Sequence, residues 1–255
     1  MTLTEPAADV AIFSACSDLR LPSVREQASI AADLARREHR THRVFLADLL
    51  ACEIDDRNAR RAQRRLHDAR FPRFKTIGAF DTSANAGVSA QQIAHLAAGE
   101  WIDAGEPVVF LGDSGTGKTH LLIAIGAAAC EAGKRVRYTT MAALACELTE
   151  AQSDHHLAKT IGRYSRYDLV CLDELGYVHL DAKGAELIFQ VITERDERAS
   201  VAVATNLPFS EWPKVFTDTR LCAAIVDRLT HNGHIIETGT ESYRLLSTKT
   251  QNKRR

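Results

Sequence analysis

The stretch GDSGTGKTH, residues 112–120, decides the fold of this 255-residue chain. It follows the apolar run VVFL at 108–111 and opens KTHLLIAIGAAACEAG at 118–133, whose composition predicts a helix. The phosphate-loop pattern G-x-x-x-x-G-K-[ST] is matched at all of its fixed positions, which are Gly112, Gly117, Lys118 and Thr119. A strand before this pattern and a helix after it are the context in which it binds nucleotide phosphates. The sequence therefore predicts a P-loop site, and a glycine-rich turn that binds nothing is the alternative.

The predicted loop combines hydrogen-bond donors with positive charge. Its glycines let backbone N–H groups turn towards phosphate oxygens, and the helix that follows directs its positive end at them. Lys118 is expected to reach the β and γ phosphates of ATP, and the Thr119 hydroxyl is expected to bind Mg²⁺. Asp113 is expected to point outward, and His120 to pack near the phosphates. The candidate nucleotide-binding residues are Gly112, Asp113, Ser114, Gly115, Thr116, Gly117, Lys118, Thr119 and His120.

Strand and helix patterns alternate on both sides of this loop. The predicted strands are at 107–111, 135–140, 167–175 and 199–206. The predicted helices are at 89–105, 118–133, 141–151 and 182–198. Strands separated by helices of this length indicate a parallel, doubly wound α/β sheet.

Two acids and an amide at predicted strand ends form a candidate catalytic set with Lys118. The strand DLVCLDE, residues 168–174, ends in Asp173 and Glu174. Asp173 suits Mg²⁺ coordination, and Glu174 suits polarisation of an attacking water. Asn206 ends the next strand and can hydrogen-bond the same water, because carboxyl ends of parallel strands meet at one edge. The alternative is a pair of solvated acids and a turn residue.

An arginine from a neighbouring subunit is expected to complete the site. A P-loop with a glutamate base usually lacks one positive charge in the transition state. Arg228 in IVDRLTH is the preferred candidate, and Arg220 in DTRLCAA is the other. This expectation implies a homo-oligomer, a ring or a spiral. Apolar neighbours of Arg228 leave a buried salt bridge as the alternative.

The N-terminal part of the chain has a different pattern. Apolar spacing predicts three helices, at about 23–40, 44–54 and 57–69. The first of these carries a capping-box pattern, Ser23 with Glu26. The expected domain limits are a loose N-terminus at 1–20, a helical domain at 21–70, a linker at 71–87, the ATPase domain at 88–247 and a basic tail at 248–255.

The third predicted N-terminal helix carries an arginine stripe. Helical spacing places five guanidinium groups on one face: Arg57, Arg60, Arg61, Arg64 and Arg65. Neutralisation of several phosphates gives sequence-independent DNA affinity, so this stripe is expected to bind nucleic acid or an acidic protein. A solvated face with ion pairs is the alternative, since Glu53 and Asp56 lie four residues before Arg57 and Arg60.

Composition restricts the class of protein. The formal net charge is −1, yet residues 36–75 hold twelve Lys or Arg against six Asp or Glu, so positive charge is localised. The six cysteines are scattered singly without a CxxC pair, which is typical of reduced thiols. The N-terminus carries no basic secretory signal, and no apolar run reaches membrane-spanning length. We therefore expect a cytoplasmic protein without a membrane partner.

Several motifs together resemble the IstB-like ATPases. These motifs are GDSGTGKTHL, LVCLDELGYV, LIFQVITERDERAS, ATNLPFSEW and AAIVDRLTHNGHIIETGTESYRL. LRLPSVREQA and FLADLLACEIDDRNARRAQRRLHDARFPRFKTIGAFD are similar to the N-terminal region of that family, so the resemblance covers roughly residues 20–247. Asp113 and Ser114 stand where the family more often has prolines.

The resemblance implies an AAA+ ATPase that an insertion sequence encodes beside its transposase. It implies assembly on duplex DNA with ATP and Mg²⁺. It also implies delivery of that DNA to the transposase and stimulation of the transposase activity. By position, it makes Asp173 and Glu174 the Walker B pair, Asn206 sensor 1, Arg228 the finger and Arg244 a sensor-2-like contact. Only 49 residues follow Asn206, so the helical lid of AAA+ proteins is expected to be absent or vestigial.

Three alternative functions stay open at this point. The DnaC-like helicase loaders share the same core, and their N-terminal segment would bind a helicase instead of a transposase. A small-molecule P-loop kinase is more distant, because the adjacent Asp173 and Glu174, the Asn206 amide and the lack of a lid insertion oppose it. The third alternative is a binding module that ATP switches without significant turnover.

Overall fold

The computed structural model describes residues 4–82, 87–177, 180–240 and 242–243. The chain divides into two compact units, Met1–Gln63 and Arg64–Arg255. This division falls inside a helix, upstream of the linker that the sequence predicts at 71–87. The first unit begins with α1, Glu5–Asp18, and α2, Pro22–Arg37, and α3, His42–Ala69, runs across the division.

The N-terminal residues correct the expectation of a loose segment at 1–20. Glu5–Asp18 forms a helix with a proline in its first turn, and its Cys16 is buried with Val24, Ala28 and Leu49. Packing of Cys16 against residues of α2 and α3 holds the end of this helix, although its own sequence has no regular apolar period.

Two further expectations for this unit are also corrected. The helices predicted at 44–54 and 57–69 are one continuous helix, α3, because no glycine or proline separates them. Ser23 does not cap α2: Leu21 is the N-cap, and no side chain of its own segment caps the helix. The backbone N–H groups of Ser23 and Val24 instead donate to Glu53 Oε2, at 2.8 and 3.3 Å. A carboxylate on α3 therefore satisfies the free donors at the start of α2.

Five strands form the sheet of the second unit: β1, Val108–Leu111; β2, Val136–Thr140; β3, Leu169–Leu175; β4, Ser200–Thr205; and β5, His234–Glu237. Their order is β2-β3-β4-β1-β5, and each neighbouring pair is parallel. Asp173 on β3 lies opposite Thr140 on β2, and Leu111 on β1 lies opposite Thr205 on β4. The carboxyl ends of the strands therefore meet at one edge, as expected for this topology.

Helices cover both faces of the sheet. They are α4, Ala90–Ala98; α5, Glu100–Asp103; α6, Lys118–Glu131; α7, Met141–Ser153; α8, Leu157–Tyr164; α9, Ala182–Arg195; and α10, Thr219–Thr230. Val109 of β1 packs in a core with residues of α7, α9 and α10, whereas Phe110 packs in a second core with residues of α4 and α6. These two cores confirm the doubly wound α/β fold. The helix predicted at 89–105 is divided by Gly99, whose φ is 77°.

The chain returns to the sheet after β4. α10 leads into β5, which pairs with β1, and the described residues 207–240 form no helical lid. Arg244 and the basic tail at 248–255 lie outside the described residues. None of the described helices combines the length and apolar composition that a membrane crossing needs.

Candidate nucleotide-binding site

The glycine-rich loop joins β1 to α6 at the carboxyl edge of the sheet. Gly117 is the N-cap of α6 and has a φ of 99°, a value that other residues rarely adopt. A Cβ atom at Gly117 would lie 2.7 Å from the ring of Phe80. Glycine at this position leaves the first N–H groups of α6 accessible, and such helix starts bind anions.

The loop is closed by hydrogen bonds to one carbonyl oxygen. Lys118 Nζ donates to the Asp113 carbonyl oxygen at 2.7 Å, and Thr116 Oγ1 donates to the same oxygen at 2.9 Å. Thr116 Oγ1 also lies 2.6 Å from Thr238 Oγ1, and Thr116 is 2% exposed. Thr116 therefore supports the loop from beneath, while Lys118 lies at its surface.

A cavity of about 380 Å³ opens above the loop, a size typical of small-molecule sites. Most of the predicted nucleotide-binding residues line it, namely Ser114, Gly115, Thr116, Gly117, Lys118, Thr119 and His120. Gly112 and Asp113 are not in this lining. Gly112 packs under the loop against Thr238 and Gly239, and Asp113 is exposed, with its N–H donating to the Gly239 carbonyl at 3.1 Å.

The Asp173 carboxylate lies beside the start of α6. Thr119 Oγ1 donates to Asp173 Oδ1 at 3.2 Å, and the Glu174 backbone N–H donates to the same oxygen at 2.8 Å. The Tyr138 hydroxyl, on β2, donates to Asp173 Oδ2 at 2.7 Å. Asp173 is 3% exposed, so these donors hold a buried carboxylate in one orientation. Burial and the contact with Asp173 both raise the pKa of Tyr138, which keeps its hydroxyl protonated.

Glu174 extends into the cavity from a distorted part of β3. Its φ is +62°, and the pairing of β3 with β4 shifts register between Leu172 and Leu175. A left-handed conformation at a non-glycine residue costs about 1–3 kcal/mol and is concentrated at functional sites. The bulge leaves Glu174 exposed in the cavity lining, although the residues on either side of it are buried.

Asn206, which follows β4, completes this side of the cavity. Its Oδ1 atom is buried and has no hydrogen-bond partner among the described residues. A buried amide oxygen without a hydrogen-bond partner costs free energy. The Asn206 oxygen is therefore suited to accept a hydrogen bond from a ligand or from an attacking water. The structure thus places Lys118, Glu174 and Asn206 around one cavity with Asp173.

The segment predicted to be a linker contributes a wall that sequence reasoning missed. Arg73, Lys75 and Phe80 all line the cavity. The His120 ring lies 5.5 Å from the Phe80 ring, and His120 Nε2 is 3.0 Å from the Thr76 carbonyl oxygen. Burial lowers the pKa of His120, the hydrogen bond with the Thr76 carbonyl opposes this shift, and the charges of Lys75 and Arg73 lower the pKa further.

The residues present fit a nucleoside triphosphate with Mg²⁺. The loop and α6 supply N–H donors and one ammonium group for phosphates. The Thr119 hydroxyl and the Asp173 carboxylate are hard oxygen ligands of the kind that Mg²⁺ prefers, and they already lie 3.2 Å apart. The Asn206 oxygen, which has no hydrogen-bond partner among the described residues, adds a polar group that a ligand could satisfy.

Comparison with known proteins identifies the family of this chain. Residues 14–252 match the family described as IstB-like ATP binding protein. The chain belongs to this family.

Two relatives of the family cover most of this chain. It is 34% identical to an insertion sequence IS5376 putative ATP-binding protein of Geobacillus stearothermophilus, over 95% of this chain and 97% of that protein. It is 37% identical to a putative insertion sequence ATP-binding protein of Sinorhizobium fredii, over 89% of this chain and 77% of that protein.

Solved structures confirm the AAA+ fold of this IstB-like chain. AMPPCP-bound DnaA from Aquifex aeolicus superposes with a TM-score of 0.54 at 22% identity, over 72% of this chain and 56% of that chain. DnaI superposes with a TM-score of 0.53 at 16% identity, over 69% of this chain and 93% of that chain. Sequence identities this low show the fold alone.

The candidate finger arginines of this IstB-like chain do not line its own cavity. Arg228, on α10, lies 3.3 Å from Asp196 through its Nε atom and donates from Nη1 to the Ala224 carbonyl at 3.1 Å. Its guanidinium group also lies 5.0 Å from the centre of the Phe189 ring. Arg220 is exposed at the start of α10. A contact of either side chain with a neighbouring subunit stays a prediction.

The first two arginines of the predicted stripe have structural contacts. Arg57 and Arg60 both approach Glu53 Oε1, at 3.2 and 3.4 Å. The expected pair of Arg60 with Asp56 is therefore replaced, because Glu53 is buried under the start of α2 and attracts both guanidinium groups.

The remaining stripe residues differ in exposure. Arg65 is partly buried, and its Nε donates to the Cys130 carbonyl oxygen at 2.7 Å. Arg61 and Arg64 are exposed. Of the predicted five-arginine surface, these two side chains are the ones that make no hydrogen bond or ion pair within the described ranges.

Proposed function

We propose that this chain is an ATPase that assembles on duplex DNA in the ATP-bound state and assists a transposase in insertion-sequence transposition. The convergence of Lys118, Thr119, Asp173, Glu174 and Asn206 on one cavity carries the ATPase part of this proposal. The relatives named after insertion sequences support the transposition part. The same relatives favour this function over helicase loading, which shares the AAA+ core.

Each of the predicted binding and catalytic residues of the cavity has one role in this proposal. The loop from Gly112 to His120 holds ATP, and Lys118 binds its β and γ phosphates. Thr119 and Asp173 would hold Mg²⁺, which when bound neutralises charge on the phosphates. Glu174 polarises the attacking water, and Asn206 orients that water through its side-chain amide.

Hydrolysis in this proposal requires two subunits. Arg228 supplies the positive charge that a single P-loop site lacks, so it reaches the cavity of a neighbouring subunit in a ring or spiral. Arg228 then exchanges the Asp196 carboxylate for phosphate oxygens when the subunits assemble. Arg220 is the substitute for this role, since it is exposed on the same helix.

DNA contacts begin on α3 in this proposal. Arg61 and Arg64 bind DNA phosphates, because their guanidinium groups are exposed and carry no intramolecular ion pair among the described residues. Arg57 and Arg60 add positive potential while Glu53 holds them in place. Such contacts predict affinity that falls steeply with salt and depends little on sequence.

Phosphate release tests the catalytic assignments. The purified chain is incubated with ATP and Mg²⁺, with and without duplex DNA, beside Lys118→Ala and Glu174→Gln. Lys118→Ala is expected to lose nucleotide binding. Glu174→Gln is expected to bind ATP but to lose turnover by about 10²-fold or more. Glu186→Gln, an exposed acid on α9, is the matched control. Normal turnover by Glu174→Gln would overturn hydrolysis at this site.

A further inference from the structure

A second cleft, of about 650 Å³, lies at the amino edge of the sheet. Six arginines line it: Arg65, Arg70, Arg135, Arg137, Arg163 and Arg166. They come from the end of α3, the start of β2 and the end of α8 with the turn that follows. The nucleotide cavity lies at the opposite, carboxyl edge, and the five residues of β2 span about 13 Å between the two edges.

Carboxylates balance only part of this positive charge. Arg135 Nη2 donates to Asp168 Oδ1 at 2.8 Å, and Arg163 pairs with Glu147. Asp68 lies beside His67 at the rim. Among the described residues, six guanidinium groups therefore face three carboxylates, and the cleft keeps a local excess of positive charge in a chain whose net charge is −1.

Two of the six arginines are available to a ligand. Arg70 and Arg166 are both exposed. Neither makes a side-chain hydrogen bond or ion pair within the part of the chain that the structure describes. Arg135, by contrast, is fixed to Asp168 through both its backbone N–H and its guanidinium group, so it adds charge without needing to move.

We propose that this cleft binds the phosphate backbone of duplex DNA, which gives the protein a DNA contact separate from Arg61 and Arg64. This inference rests on the proposed function, which makes duplex DNA the ligand of the assembled protein. Guanidinium groups suit phosphates because they are always charged and donate two parallel hydrogen bonds. The positive side chains in this lining, histidine aside, are all arginines.

The lining favours a DNA backbone over other anionic partners. A protein segment would need an apolar centre, yet the aliphatic side chain in this lining, Val136, is 2% exposed. Single-stranded nucleic acid would need an open aromatic surface for its bases. The tyrosine ring in the lining, Tyr167, is only partly exposed and packs edge-on against Tyr164 at 6.1 Å, which leaves the small imidazole of His67 as the exposed ring. The phosphates of a duplex need neither feature.

A charge-reversed pair tests this cleft in the full chain. The double variant Arg70→Glu with Arg166→Glu is compared with Lys183→Glu with Arg198→Glu, which makes the same charge change at exposed positions outside the cleft. Fluorescence anisotropy of a labelled duplex is measured with an ATP analogue across a salt series. The cleft variant is expected to lose affinity by about tenfold at moderate salt and to lower the salt slope by about 2. The control variant is expected to keep the parental slope.

Two outcomes of the anisotropy measurement distinguish a wrong assignment of the cleft from a wrong proposed function. Parental affinity and slope in the cleft variant would overturn this inference and leave the proposed function intact. Failure of the unaltered protein to bind the duplex would overturn both. Poly-L-glutamate is added as a competitor beside unlabelled duplex. Equally strong competition by both would overturn the assignment of the cleft to DNA, because an acidic polypeptide would then be an equally good ligand. Parental ATP affinity in both variants verifies that the chains are folded.

Discussion

The hydroxyl of Tyr138 offers a sharp test of how Asp173, the proposed magnesium ligand, is positioned. Tyr138→Phe removes the donor that lies 2.7 Å from Asp173 Oδ2 and leaves the ring in place. Asp173 is 3% exposed, and its other oxygen is already occupied by Thr119 and the Glu174 N–H. A buried carboxylate oxygen that loses its donor costs about 1–3 kcal/mol.

This cost is expected to appear in binding of ATP with Mg²⁺. If about 1.4 kcal/mol of it falls on the metal-loaded complex, affinity for Mg²⁺-ATP decreases tenfold. Tyr138 is not among the residues proposed to bind the phosphates, so affinity for ATP in EDTA should stay at the parental value. Anisotropy of a fluorescent ATP analogue, titrated in Mg²⁺ and in EDTA, measures both quantities.

Tyr164→Phe is the matched control for this substitution. The Tyr164 hydroxyl is buried and donates to Glu147 at 2.6 Å, outside the cavity lining. We expect it to lower thermal stability about as much as Tyr138→Phe while keeping the parental affinity for Mg²⁺-ATP. An equal loss in Mg²⁺ and in EDTA, or no loss for Tyr138→Phe, would refute the positioning role.

Three further perturbations follow from the structure. Gly117→Ala is expected to weaken ATP binding, measured by calorimetry, by roughly tenfold. The φ of 99° at this position disfavours any residue with a Cβ atom, and that Cβ would collide with the Phe80 ring. Gly78→Ala, which has open space around it, is the control. The pKa of Glu53 is lowered despite its burial, because its carboxylate accepts hydrogen bonds from the Ser23 and Val24 N–H groups and lies beside the Arg57 charge. The ionised carboxylate therefore stabilises the fold above the ordinary pKa of 4.5, and this stabilisation is lost as pH falls through the pKa of the folded state. Melting curves of Glu53→Gln should therefore depend less on acid pH than those of the parent. Arg228→Ala should bind ATP normally but release phosphate about 10³-fold more slowly.

A specific result would contradict each of these three predictions. Equal ATP affinities of the two glycine variants would show that the loop tolerates a side chain at Gly117. Identical acid dependence of the parent and Glu53→Gln would remove the stabilising role of that carboxylate. Normal turnover by Arg228→Ala would leave its contact with Asp196 as the whole role of Arg228.

The α/β fold and the centre of the site could be predicted because their signals are local. The loop pattern, the strand before it and the helix after it all lie within residues 108–133. Asp173 lies near the carboxyl end of β3 and Asn206 directly follows β4, and parallel topology requires these ends to meet at one edge. The bulge that exposes Glu174 has no such signal, because a left-handed φ at a glutamate depends on the surrounding tertiary structure.

The contributions of the N-terminal region could not be predicted, because they depend on pairs that are distant in sequence. His120 meets the Thr76 carbonyl across 44 residues, so a segment without a helical period becomes a wall of the cavity. Helical spacing predicts that the stripe arginines share one face of α3. It does not show that the Glu53 carboxylate is buried against the Ser23 N–H, which lies 30 residues away in the sequence. This buried carboxylate then gives Arg57 a structural contact.

Light-scattering mass on a sizing column tests the central claim most directly. The full chain is examined alone, with a slowly hydrolysed ATP analogue, with a duplex of about 50 base pairs, and with both together. ATP-dependent assembly on DNA predicts a multi-subunit species that forms with nucleotide and duplex together and is absent when either is omitted. A single-chain mass under all four conditions would contradict it, together with the role of Arg228 in a neighbouring subunit.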